Sequence, residues 1–375
     1  MKQLKSIFLA TAAVMLTVSC SNDDGGPKPP PDPDNVLEGA ITSDKILDAA
    51  IEYTIRGSVT VEDGATLSIP AGTRIVADIS DGLDALIIKQ GGRINATGSS
   101  VDPIVFTSAN MQTGSWGGIV ILGRAPINVG SETSSPEFDN SLSYGGNIPD
   151  DNSGILTYVR VEYAGAGIIE GSVEYNGFGF YAVGSGTILN NLETYKGSDD
   201  GFEWFGGTVV ANNLISIGDE DDSFDTAEGW TGGGSNWIGI KDGIGDNGFE
   251  WDNNEDDNIA LPMSNPTVSN ITLIGTGTAD GMRLRRGTAG TISNVIIRNF
   301  DQGIDMRDAI TVNNAMSGAL TVNGVFFDAI VNENYVNDQG QDISSAVTED
   351  PSATGADDTF AAGWSRYDME GWGDD

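Results

Sequence analysis

The sequence predicts an all-β fold, a parallel β-helix of about 10 to 12 coils, because a short pattern recurs along the chain. The pattern is a turn followed by a strand in which apolar and charged residues alternate. Clear copies occupy residues 199–204, 221–226 and 246–251, and weaker copies occupy residues 280–284 and 302–306. A period of about 22 to 25 residues made of such segments indicates stacked coils rather than a closed sheet.

A second pattern runs in phase with the first and carries asparagines. Its copies combine a threonine, an apolar residue and one or two asparagines, and the recurring positions are Asn191, Asn213, Asn270 and Asn294. Each repeat therefore contains at least two short strands. We expect these asparagines to stack their side-chain amides inside a corner of the coil rather than to bind a ligand.

Composition narrows the possible functions. The 51 glycines suit a chain that turns sharply several times in each coil. The formal net charge of −37 argues against nucleic acid as a partner and against unaided binding of polyanionic glycans. The chain contains no histidine, which excludes histidine-based catalysis and histidine zinc sites. Carboxylates and carbonyls remain as ligands, and these oxygen donors favour calcium.

The N-terminal segment resembles the signal of a bacterial lipoprotein. Residues 1–19 place two lysines before an apolar run that is too short to span a membrane. Cys20 is the only cysteine of the chain and is expected to be the lipidated first residue of the mature protein. Residues 20–35 are rich in proline and predict a semi-rigid tether. The segment Ser21-Asn22-Asp23-Asp24 directly after Cys20 resembles the acidic signal that places Bacteroidota lipoproteins on the outer face of the outer membrane.

The remaining chain divides into a solenoid and a tail. Residues 36–342 are predicted to form the β-helix, and residues 343–375 a C-terminal cap, with residues 357–375 closing the last coil. Residues 128–152 and 253–262 break the period and are predicted to be loop inserts. Inserts of a solenoid often gather on its binding face.

Several segments resemble known β-helices. GATLSIPAGT, PIVFTS, WGGIVILG, LTYVRVEYAG, DDGFEWFGGTV and DDSFDTAEGW are similar to coils of right-handed β-helices of the pectin-lyase-like superfamily. They are more closely similar to a family of cell-surface and secreted proteins of Bacteroidota. The resemblance covers about residues 53 to 230. It implies a right-handed helix and a surface location, and it brings no catalytic residue with it.

Alternation along the repeated strand predicts stacked carboxylates on its outer face. If Phe202 and Trp204 point into the coil, Glu203 points outward, and equivalent positions of neighbouring coils lie about 4.8 Å apart. The predicted outer column contains Glu203, Asp225 and Glu250, and a second column at the preceding corner contains Asp200, Asp222, Asn247 and Asp280. Like charges stacked in this way require compensation.

Three interpretations of these columns stay open. The first is that Ca²⁺ ions bridge the coils, with Asp200, Glu203, Asp222, Asp225, Asn247 and Glu250 as their ligands. The second is an acidic face that is screened by water and salt. The third is a catalytic acid/base pair of the glycosidase kind, drawn from Glu203, Asp225 and Glu250 beside Arg283, Arg285 and Arg307. A uronate lyase would use a base with Arg or Ca²⁺ to neutralise the substrate carboxylate, as pectate lyases do on this fold.

The aromatic residues fall into two groups. Those that recur at the coil period are expected to stack in the core. Phe205, Trp230 and Trp237 break that alternation and lie beside glycine-rich turns, so we predict them as a platform for a sugar ring, with packing at a corner of the coil as the alternative.

The sequence therefore predicts a surface-anchored, non-enzymatic lipoprotein that binds an extracellular ligand, a glycan, with Ca²⁺ in the acidic columns. A polysaccharide lyase or glycoside hydrolase is the first alternative. The second is an accessory lipoprotein of an outer-membrane nutrient transporter. The expected partners are the outer membrane through the lipid anchor, a polysaccharide and such a transporter, with nucleic acid excluded by the negative charge.

Overall fold

The structure is a computed structural model that describes residues 35–80, 82–169, 173–243, 245–331 and 341–372. The predicted signal segment, the lipidation site Cys20 and the proline-rich part of the tether lie outside the described residues. Within the described ranges, every helix is too short or too polar to cross a bilayer.

Twenty-three strands form one continuous sheet that winds as a right-handed parallel β-helix, as the sequence predicts. Two further strands, β11 (Gly167–Ile169) and β12 (Val173–Glu174), pair with each other in antiparallel orientation outside this sheet. In chain order the strands are β1 (Val36–Ile41), β2 (Lys45–Ile46), β3 (Tyr53–Val61), β4 (Thr66–Pro70), β5 (Arg74–Ala77), β6 (Ala85–Ile88), β7 (Arg93–Thr97), β8 (Ile104–Ser108), β9 (Ile119–Leu122), β10 (Gly154–Glu162), β11 (Gly167–Ile169), β12 (Val173–Glu174), β13 (Phe178–Tyr181), β14 (Ile188–Tyr195), β15 (Phe202–Phe205), β16 (Val210–Ile217), β17 (Phe224–Ala227), β18 (Gly233–Ile240), β19 (Phe249–Trp251), β20 (Thr267–Ile274), β21 (Asp280–Leu284), β22 (Gly290–Arg298), β23 (Gln302–Met306), β24 (Leu320–Asp328) and β25 (Val347–Glu349). The helices are α1 (Ala309–Ser317) and α2 (Arg366–Met369), with 3-10 turns at Ser344–Ala346 and Asp358–Ala361.

The strands stack into three faces. Face A has eleven rungs, which are β2, β4, β7, the first halves of β10, β14, β16, β18, β20, β22 and β24, and β25. Face B contains the first half of β3, β5, β8 and the second halves of the long strands from β10 to β24. Face C contains the second half of β3, β6, β9, β13, β15, β17, β19, β21 and β23. The eleven rungs agree with the predicted number of coils.

The predicted asparagines form the corner between faces A and B. Asn191, Asn213, Asn270 and Asn294 all have a left-handed backbone, with φ between 54 and 61°. Asparagine tolerates this conformation better than most residues with a Cβ atom. Asn213 Nδ2 donates to Asn191 Oδ1 at 3.3 Å, and Asn294 Nδ2 donates to Asn270 Oδ1 at 2.7 Å. The amides therefore stack as predicted, although most of these side chains are half-buried rather than internal.

We expect Asn213→Ala to lower the free energy of unfolding by about 2 kcal/mol. Alanine adopts the left-handed conformation at a cost of roughly 1 kcal/mol, and the amide hydrogen bonds are lost as well. Asn213→Gly keeps the backbone conformation and loses only the amide, so its effect should be about half as large. Urea unfolding of both variants measures the difference. Equal losses would show that the left-handed corner is not what asparagine supplies.

Aromatic rings stack inside the solenoid. Phe202 lies 5.3 Å from Phe178 and 5.6 Å from Phe224, measured between ring centroids. Trp204 lies 4.8 Å from Trp230 and 5.2 Å from Trp237.

The prediction that Trp230 and Trp237 form a sugar platform is wrong, because both side chains are fully buried in this stack. Their burial follows from the small size of Thr226, which occupies the inward position of its strand. Thr226 pairs with Trp204 in the coil below and with Trp251 in the coil above. The small threonine leaves space inside its coil. Trp230, from the following turn, and Trp237, on β18, fill that space.

The solenoid continues beyond the predicted end at residue 342, because β25 pairs in parallel with β24. After β25 the chain reverses, and residues 350–372, which we call the strap, run back along the outside of face B. Ala356 N donates to Thr272 Oγ1 at 3.0 Å, and Arg366 N donates to Glu193 Oε1 at 2.8 Å.

The prediction that residues 357–375 cap the last coil is therefore wrong for the described part of this segment. The physical reason is an apolar stripe on the outer side of face B, formed by Ile215, Ile217, Ile238 and Ile240. Trp364 and Tyr367 of the strap pack against this stripe and remove it from water.

Candidate cation-binding cleft

The carboxylates predicted for the outer column lie on the outer side of face C. Phe202 and Trp204 are fully buried, whereas Glu203 and Asp225 are half-buried and face outward, as the alternation predicts. Glu203 pairs in register with Asp225, and Asp225 with Glu250. The column continues in register to Arg283 and Asp305.

A cleft of about 820 Å³ lies over this column. Glu203, Phe205, Asp225 and Ala227 line its floor. The walls come from the two predicted inserts and from the strand pair of β11 and β12, and the residues that line them include Asn128, Val129, Gly130, Glu137, Glu174, Asn254, Glu255, Asp256, Asp257, Ala260 and Leu261. The inserts thus gather at one face of the solenoid.

Hydrogen bonds join the two inserts into one structure. Asn128 Nδ2 donates to Asn253 Oδ1 at 2.8 Å and to Pro262 O at 3.0 Å. Asn254 Nδ2 in turn donates to Asn128 Oδ1 at 3.0 Å. Because Asn128, Asn253 and Asn254 are all buried, these bonds fix the opposite walls of the cleft relative to each other.

One end of the cleft is aromatic. The rings of Phe205 and Tyr181 stack at 4.0 Å with an angle of 8° between their planes. Tyr144 OH donates to Glu228 Oε2 at 2.8 Å, and burial raises the pKa of Glu228 to about 7. Phe205 lines the cleft, so its predicted contact with a sugar ring stays a prediction.

The upper part of the column, toward the C-terminus, is neutralised by arginines. Arg283 Nη1 lies 3.2 Å from Glu250 Oε1, and Arg285 Nη2 contacts Glu250 Oε2. Arg285 Nε also lies 2.9 Å from Asp252 Oδ1. Burial raises the pKa of Glu250, and the two guanidinium groups oppose that change. Arg283 and Arg285, predicted as catalytic candidates, are thus partners of this carboxylate.

The lower part of the column lacks such ion pairs among the described residues. In the described part of the chain, no lysine or arginine forms an ion pair with Asp200, Glu203 or Asp225. Burial raises the pKa of each of these three carboxyl groups well above its usual range, and neighbouring carboxylates raise it further. Burial likewise raises the pKa of Asp199 to about 8, with Glu174 and Asp221 as further causes. Protonation or a bound cation would therefore stabilise this group at neutral pH.

Hydrogen bonds join the residues of the second predicted column, at the corner before face C, from one coil to the next. Asp222 N donates to Asp200 Oδ1 at 2.8 Å, and Asn247 Nδ2 donates to Asp222 Oδ1 at 2.8 Å. Asp280 N donates to Asn247 Oδ1 at 3.2 Å. Asp200, Asp222 and Asn247, predicted as metal ligands, therefore each use one side-chain oxygen to hold the next coil.

Carboxylates come close enough together to hold a metal ion in four groups within the described ranges. In each group, one oxygen from each of three residues lies within 4.8 Å of the others. The groups are Asp199, Asp200 and Asp221; Asp200, Glu203 and Asp225; Asp221, Asp222 and Asp246; and Asp222, Asp225 and Glu250. Such oxygen-only donor sets fit Ca²⁺ better than transition metals. Five of the six predicted metal ligands thus lie in two overlapping groups.

The sequence patterns missed several residues around the cleft. Asn176 occupies the corner position that Asp200 occupies one coil later, because Phe178 pairs with Phe202. The segment Asn176-Gly177-Phe178 could have been recognised as an earlier copy of Asp200-Gly201-Phe202. Lys241, which is buried and donates to Asp219 O at 3.4 Å, follows no repeated pattern.

A comparison with protein-family models matches residues 39–373 to the pectate-lyase-like β-helix domain. The chain belongs to this family. The match begins within β1 and extends through the strap, so this pectate-lyase-like β-helix includes the last coil and the reversed C-terminal segment. It confirms the predicted superfamily. Searches of curated proteins and of solved structures found no match.

Proposed function

We propose that this pectate-lyase-like β-helix binds an extracellular glycan in the cleft of face C, with Ca²⁺ held by the carboxylates of its floor. The observation that carries the proposal is the group of Asp200, Glu203 and Asp225, whose oxygens approach within 4.8 Å although no described cationic side chain forms an ion pair with them. Mutual repulsion and burial disfavour the charged forms, and a bound divalent cation removes both penalties. The residues available to hold Ca²⁺ are the predicted set, Asp200, Glu203, Asp222, Asp225, Asn247 and Glu250.

The size and chemistry of the cleft support an organic ligand in addition to the ion. A volume of about 820 Å³ is within the usual range for small-molecule sites and far exceeds the space that a single ion needs. The stacked pair of Tyr181 and Phe205 offers an aromatic surface against which a sugar ring can pack. Bound Ca²⁺ would supply a positive centre for sugar hydroxyl or carboxylate groups on a chain with a net charge of −37.

The cellular location is inferred from the N-terminal segment. The signal-like residues 1–19, Cys20 and the proline-rich tether support a lipoprotein of the Bacteroidota outer membrane that displays its cleft at the cell surface. There its partner would be a polysaccharide, either alone or together with a nutrient transporter of the outer membrane.

Calcium titration tests the proposed site. The chain from Asn35 onward should bind Ca²⁺ saturably in a calorimeter and melt at a higher temperature with Ca²⁺ than with chelator. At 100 times the dissociation constant, the stabilisation should reach about 2.7 kcal/mol. The double variant Glu203→Gln, Asp225→Asn keeps the side-chain shapes and should lose at least about tenfold in affinity.

The matched control is Glu255→Gln, which removes a carboxylate from the cleft wall where its side chain is 74% exposed. We expect its affinity to stay close to that of the unmodified chain. Identical melting of the unmodified chain with Ca²⁺ and with chelator would contradict the proposed calcium site.

A polysaccharide lyase or glycoside hydrolase is the second candidate. The observation that favours it is the pair of Glu203 and Asp225, two adjacent carboxyl groups with a raised pKa in a cleft that also contains Arg285. Such a pair can supply a proton donor and a base. A screen of polysaccharides for new reducing ends or unsaturated products tests this function. Products that disappear in Glu203→Gln would favour the enzyme over the binding protein.

A further inference from the structure

The corner position one coil below Asp200 belongs to Asn176, at the lower end of the column. In the coils above, the side chains of Asp200, Asp222 and Asn247 each accept a backbone N–H from the next coil. In the coil of Asn176, the outward position of the column is occupied by Gly179, which pairs with Glu203 and has no carboxylate. This lowest coil therefore has an amide at the corner position and no side chain at the outward position, where the coil above has Asp200 and Glu203.

The contacts of Asn176 differ from those of the other corner residues. Its Nδ2 donates to Glu203 Oε2 at 2.5 Å, which directs the carboxamide toward the lower carboxylate group. Its Oδ1 has no hydrogen-bond partner among the described residues, although the side chain is only 4% exposed. A buried amide oxygen without a partner is rare and unfavourable, so a missing ligand is a direct explanation.

We propose that Asn176 Oδ1 is a ligand of a Ca²⁺ ion held by Asp200, Glu203 and Asp225, and that this lower group is the preferred ion site of the cleft. The inference rests on the proposed calcium-dependent function. Neutral amide oxygens commonly complete the ligand sets of Ca²⁺. Asn176 would therefore add a fourth oxygen donor without adding another negative charge.

The distribution of positive charge favours the same position. The alternative group contains Glu250, whose two oxygens contact Arg283 and Arg285. It also contains Asp222, which lies near the buried ammonium group of Lys241. These three cations repel a metal ion most strongly from the upper group. Lys241 and Arg285 also act electrostatically on Asp200 and Asp225, but among the described residues they form no ion pair with these two carboxylates or with Glu203.

The test compares the variant Asn176→Ala with Asn213→Ala in the chain from Asn35 onward, which includes every described residue. Both residues are corner asparagines, but Asn213 lies at the corner between faces A and B, and its Oδ1 already accepts a hydrogen bond from Asn236 Nδ2. We expect Asn176→Ala to weaken Ca²⁺ binding about tenfold in calorimetry, with little change of the melting temperature in chelator. Asn213→Ala should do the opposite, lowering the melting temperature in chelator and leaving the affinity for Ca²⁺ within about twofold.

Three further variants locate the ion. Asn176→Asp keeps an oxygen donor and should retain most of the affinity that Asn176→Ala loses. Glu203→Gln should weaken Ca²⁺ binding more than Glu250→Gln, because the ion occupies the lower group. The reverse order would overturn the inference.

The inference and the proposed function can fail separately. If the unmodified chain binds no Ca²⁺, the proposed calcium site fails and the role of Asn176 fails with it. If the unmodified chain binds Ca²⁺ and Asn176→Ala binds it equally well, only the inference is overturned. A lower melting temperature of Asn176→Ala in chelator, with unchanged affinity, would assign Asn176 a structural role and overturn the inference as well.

Discussion

Trp204→Ala is expected to lower the free energy of unfolding by about 3 to 5 kcal/mol, the range for truncating a large buried aromatic residue. The indole is fully buried, and its ring lies 4.8 Å from Trp230 and 5.6 Å from Phe180. Its removal leaves a cavity between successive coils. Thr226, at the paired position above, is too small to fill that cavity.

The matched control for Trp204→Ala is Phe205→Ala, the next residue of the same strand. Phe205 faces the cleft and is half-buried, so its loss should cost about 1 kcal/mol. Urea unfolding followed by far-ultraviolet circular dichroism and by tryptophan fluorescence measures both variants and shows whether the solenoid unfolds in one step. Equal losses for the two variants would contradict the view that the inner stack, rather than strand pairing alone, stabilises these coils.

The fold could be predicted because its two governing signals are local in sequence. The period of the repeated strand and its alternation of apolar and charged residues placed Glu203 outward and Trp204 inward, as found. The prediction fails for Trp230 and Trp237 because Thr226, not an aromatic residue, occupies the inward position of their coil. The two tryptophans fill the space that this small residue leaves. The alternation of residues along one strand does not indicate that side chains from other positions fill its interior.

The strap shows a different limit of sequence reasoning. Ile215 and Ile217 alternate with Leu214 and Ser216 on the second half of β16, so the strand carries apolar residues on both sides. That pattern indicates a covered outer face. It does not say which segment covers it, because the contacts of Trp364 bridge well over a hundred residues of sequence.

The sequence predicts the column of acidic residues in the cleft. It does not predict that arginines form ion pairs with the upper part of this column only. Stacking of Glu203, Asp225 and Glu250 follows from the period alone. The charge of the upper part is neutralised by ion pairs, whereas the lower part lacks ion pairs among the described residues. This difference arises because Arg283 and Arg285 reach across the coil boundary to Glu250. The walls depend on contacts between inserts that are far apart in sequence. Only the three-dimensional structure shows such side-chain directions and long-range contacts.

The carboxyl groups of the cleft should make the stability of the metal-free protein fall as the pH rises from about 5 to about 8. Burial raises the pKa of Asp199 to about 8 and that of Glu228 to about 7, and it raises the pKa of Glu203 and Asp225 well above the usual range. The folded state thus binds protons that the unfolded chain releases near pH 4. The stability from these protons is complete below that pH and is lost as the pH passes the folded-state pKa. Each such group contributes a slope of about 1.4 kcal/mol per pH unit.

Ca²⁺ should oppose this loss, because it compensates the same carboxylates that protons neutralise at lower pH. The increase in melting temperature on adding Ca²⁺ to metal-depleted protein should therefore be small near pH 5 and large near pH 8. Glu193, whose pKa burial raises to about 8, lies under the strap and should contribute equally with and without Ca²⁺. In Glu203→Gln, Asp225→Asn, the pH dependence should flatten and the effect of Ca²⁺ should shrink. An effect of Ca²⁺ that is the same at both pH values would show that the ion does not compete with protons for these carboxylates, and would place any calcium binding outside the cleft.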